Sequence, residues 1–418
     1  MDQLPLALPP AAPRDREPFM RRVTIRNYKS IGKCDVKLAR LSVLVGRNGA
    51  GKSNFLDALR FIADGLQSSL DHAIKSRGGI ASVRRRSTGH PRNFALGVEF
   101  GLPDGGIATY GFEITARTDG AFSVRAEQLE MRGPSGEPTA YYRISDGEVE
   151  RASPATMPRA VSDRLYLVVA SGIPEFRVAY DALTSMGFYN LNPESMKELQ
   201  SPDAGELLHR DGDNIASVIA RLQADAPREK GRAEQYLGKI VDGIMRVNRV
   251  QLGPRETVEF YQQVTGAKDP WRFYAANMSD GILRALGILI AVSQLVHIRD
   301  RVRLVGIEEP ETALHPAAAR ALMDALNEAT EHTQVLLTTH SADLLEAMGA
   351  RDEGLLAVVA RQGETIVGPP DPASRKSIRD HLYNAGELLR MDQLEPDADD
   401  VKRQEDSPLF EGFAEVES

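Results

Sequence analysis

The chain of 418 residues carries one cysteine, Cys34, which excludes an internal disulfide framework and any thiolate metal cluster built by this chain alone. A lone cysteine fits a reducing compartment, and the expected location is cytoplasmic. No apolar run reaches the roughly 18 residues that a membrane span requires, so no membrane partner is expected. There is no long heptad run, hence no coiled-coil arm. The base-reading N-K-x-D phrase of GTPases is also missing. A net charge of −8 argues against wholesale coating by nucleic acid and leaves room for a local basic groove.

What remains is the composition of a soluble globular protein, 42% hydrophobic and 26% charged. The Pro-rich opening has no signal-peptide core and reads as a flexible N-terminal arm over 1–20. Residues 22–30 alternate as a strand, and 36-VKLARLSVLVG-46 gives two short strands running into a glycine loop. Phe55, Leu56, Leu59, Phe61 and Ile62 then recur at helical spacing. From 76 to 172 strand-like segments are separated by turns such as PDGG and TDG, which predicts an antiparallel β lobe with 165-LYLVVA-170 as its last buried strand. Residues 173–270 read as a helical insertion lobe, including a helix over 233–247. Beyond 271, helices and apolar strands alternate to about 390, the pattern of a parallel sheet covered on both faces. An acidic tail, 391–418, is expected to lack structure, with Phe410 and Phe413 as a short docking element.

Three phrases carry chemistry. The first, 46-GRNGAGKS-53, matches G-x-x-x-x-G-K-[ST] in full between a strand and a helix. Its glycines free backbone amides for a β-phosphate, Lys52 reaches the β and γ oxygens, and Ser53 ligates magnesium. Gly46, Asn48, Gly49, Gly51 and Asn54 complete the expected cradle. The second, 304-LVGIEEPE-311, ends an apolar strand in acids, where parallel sheets bind ligands. Glu308 is expected to hold magnesium and Glu309 to polarise the attacking water. The third, 335-VLLTTHS-341, brings His340 to the same sheet edge as a γ-phosphate sensor. A fourth element, 279-SDG-281, opens a buried helix, and its role is either an ordinary N-cap or a phosphate contact.

The order P-loop, S-x-G helix, Glu-Glu strand and His strand resembles the ABC-type ATPases. More narrowly it resembles the SMC/RecF/OLD-like branch often labelled AAA family ATPases, through 308-EEPETALHP-316, 337-LTTHS-341, 188-FYNLNP-193 and 211-DGDNIASVI-219. The resemblance implies an α/β P-loop NTPase head with a mixed or parallel sheet, an antiparallel β lobe and a helical insertion. It implies ATP and Mg2+ as ligands, Thr312–His315 as the D-loop, and Ser279 and Gly281 as a signature motif. Such a signature helix serves ATP held by a second copy, so a homodimer or higher oligomer with ATP between its heads is expected. Asp280 and His315 depart from the commoner residues of transporters. No glutamine stands at 171–176, where the strand expected at 165–170 places a Q-loop.

Two functions compete. One is a dimeric ATP-driven switch, similar to sensor ATPases of bacterial anti-phage systems, with a separate nuclease or toxin as effector, since the stretch after His340 is too short for a fused nuclease. The other is a RecF-like ATPase of DNA repair. Arg84, Arg85 and Arg86 are candidate DNA contacts, with a solvated loop and an ATP contact as the alternatives.

Overall fold

The computed structural model describes residues 17–408 apart from 88–90, 118–119, 155, 298–301 and 350. Most of the arm and the end of the tail, with Phe410 and Phe413, lie outside the described residues. The strands are β1 (Met20–Tyr28), β2 (Ile31–Lys37), β3 (Leu41–Val45), β4 (Asn93–Gly101), β5 (Ile107–Ala116), β6 (Phe122–Arg132), β7 (Pro138–Ser145), β8 (Glu148–Ser153) and β9 (Met186–Tyr189). They continue with β10 (Ile244–Leu252), β11 (Arg255–Gln262), β12 (Trp271–Tyr274), β13 (Leu304–Glu308), β14 (Gln334–Thr339), β15 (Leu355–Arg361) and β16 (Glu364–Gly368). Among the described residues, 13 of them form one sheet in the order β8-β7-β6-β5-β4-β1-β2-β16-β15-β3-β14-β13-β9. The neighbours of β3, β14, β13 and β9 run parallel, whereas β1 and β4 through β8 pair antiparallel. The antiparallel lobe and the parallel core are thus halves of one mixed sheet, joined through β1 and β4.

Apolar alternation along the parallel strands explains why both faces are covered. Leu44, Leu304, Leu336, Leu356 and Val358 enter one core, with Phe55, Phe61 and Phe176 from helices Lys52–Gln67 and Pro174–Thr184. Val43, Val45, Val305, Ile307, Val335 and Leu337 enter the other, under helices Asp280–His297, Ala318–Ala329 and Ala342–Met348. Side chains two apart share a face, so a run such as Leu41–Val45 serves both. Phe61 meets Tyr28 and Phe94 edge-on at 5.8 and 5.5 Å, contacts worth about 0.5–1.5 kcal/mol each beyond burial.

Four expectations are corrected. Residues Tyr166–Ala170 form a helix, because the Glu127 carboxylate accepts from the Tyr166 and Leu167 amides and caps its start. The helix expected over 233–247 stops at Ile240, and Gly243, at φ 81°, turns the chain into β10. The insertion is therefore not helical throughout: β10, β11 and β12 make a separate antiparallel sheet against helix Ile215–Asp225. The tail is structured up to residue 408, with helix Ala398–Asp406 capped by Asp397 and its Gln404 bonded to the Val367 carbonyl and the Asp35 amide.

Candidate functional site

The strand order puts three chain segments side by side. Val45 pairs with Thr339, and Thr338 with Glu308, so Gly46, His340 and Glu309 leave three adjacent parallel strands at the same edge. The helix Lys52–Gln67 starts here from Gly51 without any side-chain cap, leaving its first amides to the loop side. Gly51 sits at φ 102°, and a Cβ there would come within 2.0 Å of the Thr365 hydroxyl. Thr365 fixes the loop from behind by donating to the Ala50 carbonyl at 2.8 Å, and Ser30 links Thr365 to the Asn54 amide.

Lys52 is buried, and its ammonium donates to the carbonyls of Gly46 and Arg47 at 2.9 and 3.1 Å. Burial lowers its pKa, while the charges of Glu309 and Glu311 oppose that shift. Asn48, Gly49 and Ser53 are exposed at the same loop. Open amides, a cation and a hydroxyl on one turn are the donor set that a triphosphate and an oxygen-seeking cation need.

The acids are held differently from one another. Glu309 adopts φ 43°, an uncommon conformation for a non-glycine residue, with its amide bonded to the Thr338 carbonyl at 2.9 Å. Its carboxylate lies 3.3 Å from His340 Nδ1. Glu311 accepts from the Thr339 hydroxyl at 2.5 Å and the His340 amide at 3.3 Å, and its second oxygen is buried without a partner. Glu308 is approached by the Arg210 guanidinium at 3.6 Å. Among the described residues no group of three or more His, Cys, Asp or Glu could hold a metal by itself. Ser53 and Glu308 supply one oxygen function each, which suits magnesium, a cation that takes few protein oxygens and the rest from phosphate and water.

Ser279 is exposed, its hydroxyl accepting from the Ile282 amide at 3.5 Å, a weak cap. Asp280 is engaged by Lys197 at 2.7 Å. At Gly281 a Cβ would lie 2.1 Å from the Ala313 carbonyl, so glycine is what lets this helix start rest on the Thr312–His315 segment. His315 accepts the Ala317 amide at 3.2 Å. The structure thus joins the signature segment to the D-loop segment, while the only bond recorded for the Ser279 side chain is to its own helix.

Several features escaped the sequence reading. The strand flanking β13 is β9, not 165–170, so the chain enters this edge at Asn190, whose amide bonds the Arg210 carbonyl at 3.0 Å. Asn192 bonds Asp211 at 2.9 Å in the same way, so the two phrases FYNLNP and DGDNIASVI are spatial neighbours. The basic cluster is largely committed within the chain. Arg85 pairs with Glu364 at 2.8 Å and Arg84 donates to the Pro91 carbonyl at 3.0 Å. Arg77 is buried against Asp57 and Asp64, and Arg86 alone of the triplet is exposed. Charge alone in the sequence could not separate paired arginines from free ones.

The comparisons with known proteins agree with this geometry. Residues 41–346, more than half of the chain, match the family model described as "AAA domain, putative AbiEii toxin, Type IV TA system". No curated protein sequence matches. Two similar solved structures are an SMC head bound to the C-terminal winged-helix domain of ScpA and an SMC head with an extended coiled coil bound to the C-terminal domain of ScpA derived from Pyrococcus furiosus. The first is 15% identical with a TM-score of 0.52, covering 84% of this chain and 97% of its own. The second is 13% identical with a TM-score of 0.50, covering 87% and 99%. At these identities the likeness concerns the fold, that of an SMC ATPase head with its mixed sheet and flanking helices.

Proposed function

The chain belongs to that AAA-domain family and is an ATPase of the ABC/SMC-like AAA type, and from this premise we propose that it is a nucleotide-driven dimeric switch. Its place is the sensor subunit of a bacterial anti-phage defence system with a separate effector. The observation that carries the reading is the convergence of Gly46, Glu309 and His340 on three adjacent strand ends, beside a helix whose first amides are uncapped.

In this reading Lys52 turns from the loop carbonyls to the β and γ oxygens of ATP, and the amides of 49–53 hold the β-phosphate. Ser53 and Glu308 would hold magnesium, which supplies charge neutralisation along the phosphates. Glu309 accepts the proton of the attacking water, and its backbone conformation and the 3.3 Å contact to His340 fix its direction. His340 then reads the γ-phosphate by hydrogen bond. Ser279, exposed on the far helix start, completes the site of a second copy. The matched family's description names a toxin of a type IV toxin–antitoxin system, which supports a role in such conflict systems.

Two chains test the trans arrangement. Lys52→Ala and Ser279→Arg are each expected to be inactive alone, and mixing them restores turnover through one intact composite site. A mixture as silent as its components sinks the dimeric reading. Glu309→Gln is expected to bind ATP, lose turnover by about 10²-fold or more, and accumulate as a dimer in light scattering.

A further inference from the structure

We propose that the outer tip of the β10-β11-β12 sheet is a binding surface for single-stranded nucleic acid. The proposal is independent of the ATPase reading. Strand register places Arg246, Tyr261 and Arg272 opposite one another in a single cross-strand row. Both guanidinium groups lie over the Tyr261 ring, at 4.4 and 5.4 Å from its centroid. Among the described residues no carboxylate pairs with either arginine, in a chain whose net charge is −8. Stacked guanidiniums are fixed in orientation while their N–H edges remain free to donate.

Next to this row stands Trp271, the only tryptophan of the chain, 55% exposed, with Phe273 at 6.3 Å and Tyr274 41% exposed. Exposing that much ring to water has no structural return, because the opposite face of the sheet already fills the core with Val247, Val258 and Phe260. Donor edges for phosphates beside open π faces for bases are the two elements of a sequence-tolerant single-strand platform. A peptide adding a strand fits less well, since β12 has only four residues and follows Pro270, which has no N–H. A duplex offers phosphates but keeps its bases stacked away from the rings.

The sole tryptophan provides the test. The full chain is titrated with oligo(dT) of about 20 nucleotides, long enough for one such platform, following Trp271 emission and the anisotropy of the labelled strand. Saturable quenching is expected, with an affinity that falls with salt at a logarithmic slope near −1.4, about −0.7 for each of two phosphates. The double variant Arg246→Ala/Arg272→Ala, with its ATP binding and circular dichroism unchanged, is expected to bind at least ~10-fold more weakly, and Trp271→Ala likewise by anisotropy. Arg86→Ala is expected to bind as the parent does. Undiminished binding by the double variant overturns the proposal, as does equal quenching by poly-glutamate or equal competition by a blunt duplex.

Discussion

Two sets of buried or half-buried glutamates sit in one sheet and are treated in opposite ways. In the antiparallel half, Glu127 is fully buried and accepts four donors: the hydroxyls of Tyr110 and Tyr142 and the amides of Tyr166 and Leu167, at 3.1, 2.8, 2.5 and 2.8 Å. At the ends of the parallel strands, Glu308 has one ionic contact at 3.6 Å, Glu309 one at 3.3 Å, and Glu311 an oxygen with no partner. A saturated carboxylate has nothing left to offer a ligand and serves the fold. The under-satisfied ones keep lone pairs directed at a place where a ligand belongs.

The largest effect should come from breaking the saturated acid. Glu127→Ala leaves two hydroxyls and two amides buried without an acceptor, each costing about 1–3 kcal/mol, so a loss of roughly 4–8 kcal/mol is expected. That is comparable with the whole stability of many domains. Glu309→Gln should change stability by less than about 1 kcal/mol while removing turnover. Urea unfolding of the two variants side by side measures both numbers. Equal losses would erase the distinction between structural and functional acids.

The legibility of the chain follows the same division. The glycine loop, Lys52, the Glu308–Glu309 pair and His340 are local phrases, and an apolar run before each fixes it to a strand end, so their adjacency could be read from the sequence. The helix at Tyr166–Ala170 could not. Val168 and Val169 favour a strand locally, and what decides the outcome is a carboxylate some forty positions earlier. Arg77 and Arg85 looked free for the same reason, their partners Asp57 and Glu364 being distant or out of pattern. The strand Met186–Tyr189 is four residues long and carries too little alternation to be seen, which is why Asn190 was missed.

The pH dependence of stability sharpens the contrast. Burial raises the Glu127 pKa from 4.5 to about 7, outweighing the opposite pull of its four donors. A carboxyl whose folded pKa is raised contributes stability that is full below its unfolded pKa and is lost as pH climbs through the folded value. Between pH 5 and 8 the parent should lose on the order of 2 kcal/mol, read as a falling urea midpoint. Asp57, lowered to about 2 by burial offset through Arg77, Lys29 and Arg60, acts only in acid well below this window. Glu127→Gln should flatten the profile over the same range. A parent profile that rises from pH 5 to 8, or an unflattened variant, would contradict the assignment.

Glu311 is the intermediate case, and its variant carries the smallest effect. One oxygen is bonded to Thr339 and His340, and the other is buried without a donor. Glu311→Gln keeps an acceptor for the first pair and removes a negative charge that burial disfavours. The same change weakens the attraction that Glu311 exerts on Lys52. The two contributions oppose each other, and with the unpartnered oxygen as the larger one the variant should gain up to about 1 kcal/mol in urea unfolding. A site that stabilises when its charge is removed is one whose charge is kept for a ligand. If Glu311→Gln instead unfolds as readily as Glu127→Ala, Glu311 belongs with the acids that hold the fold, and the strand ends lose one of their claims to chemistry.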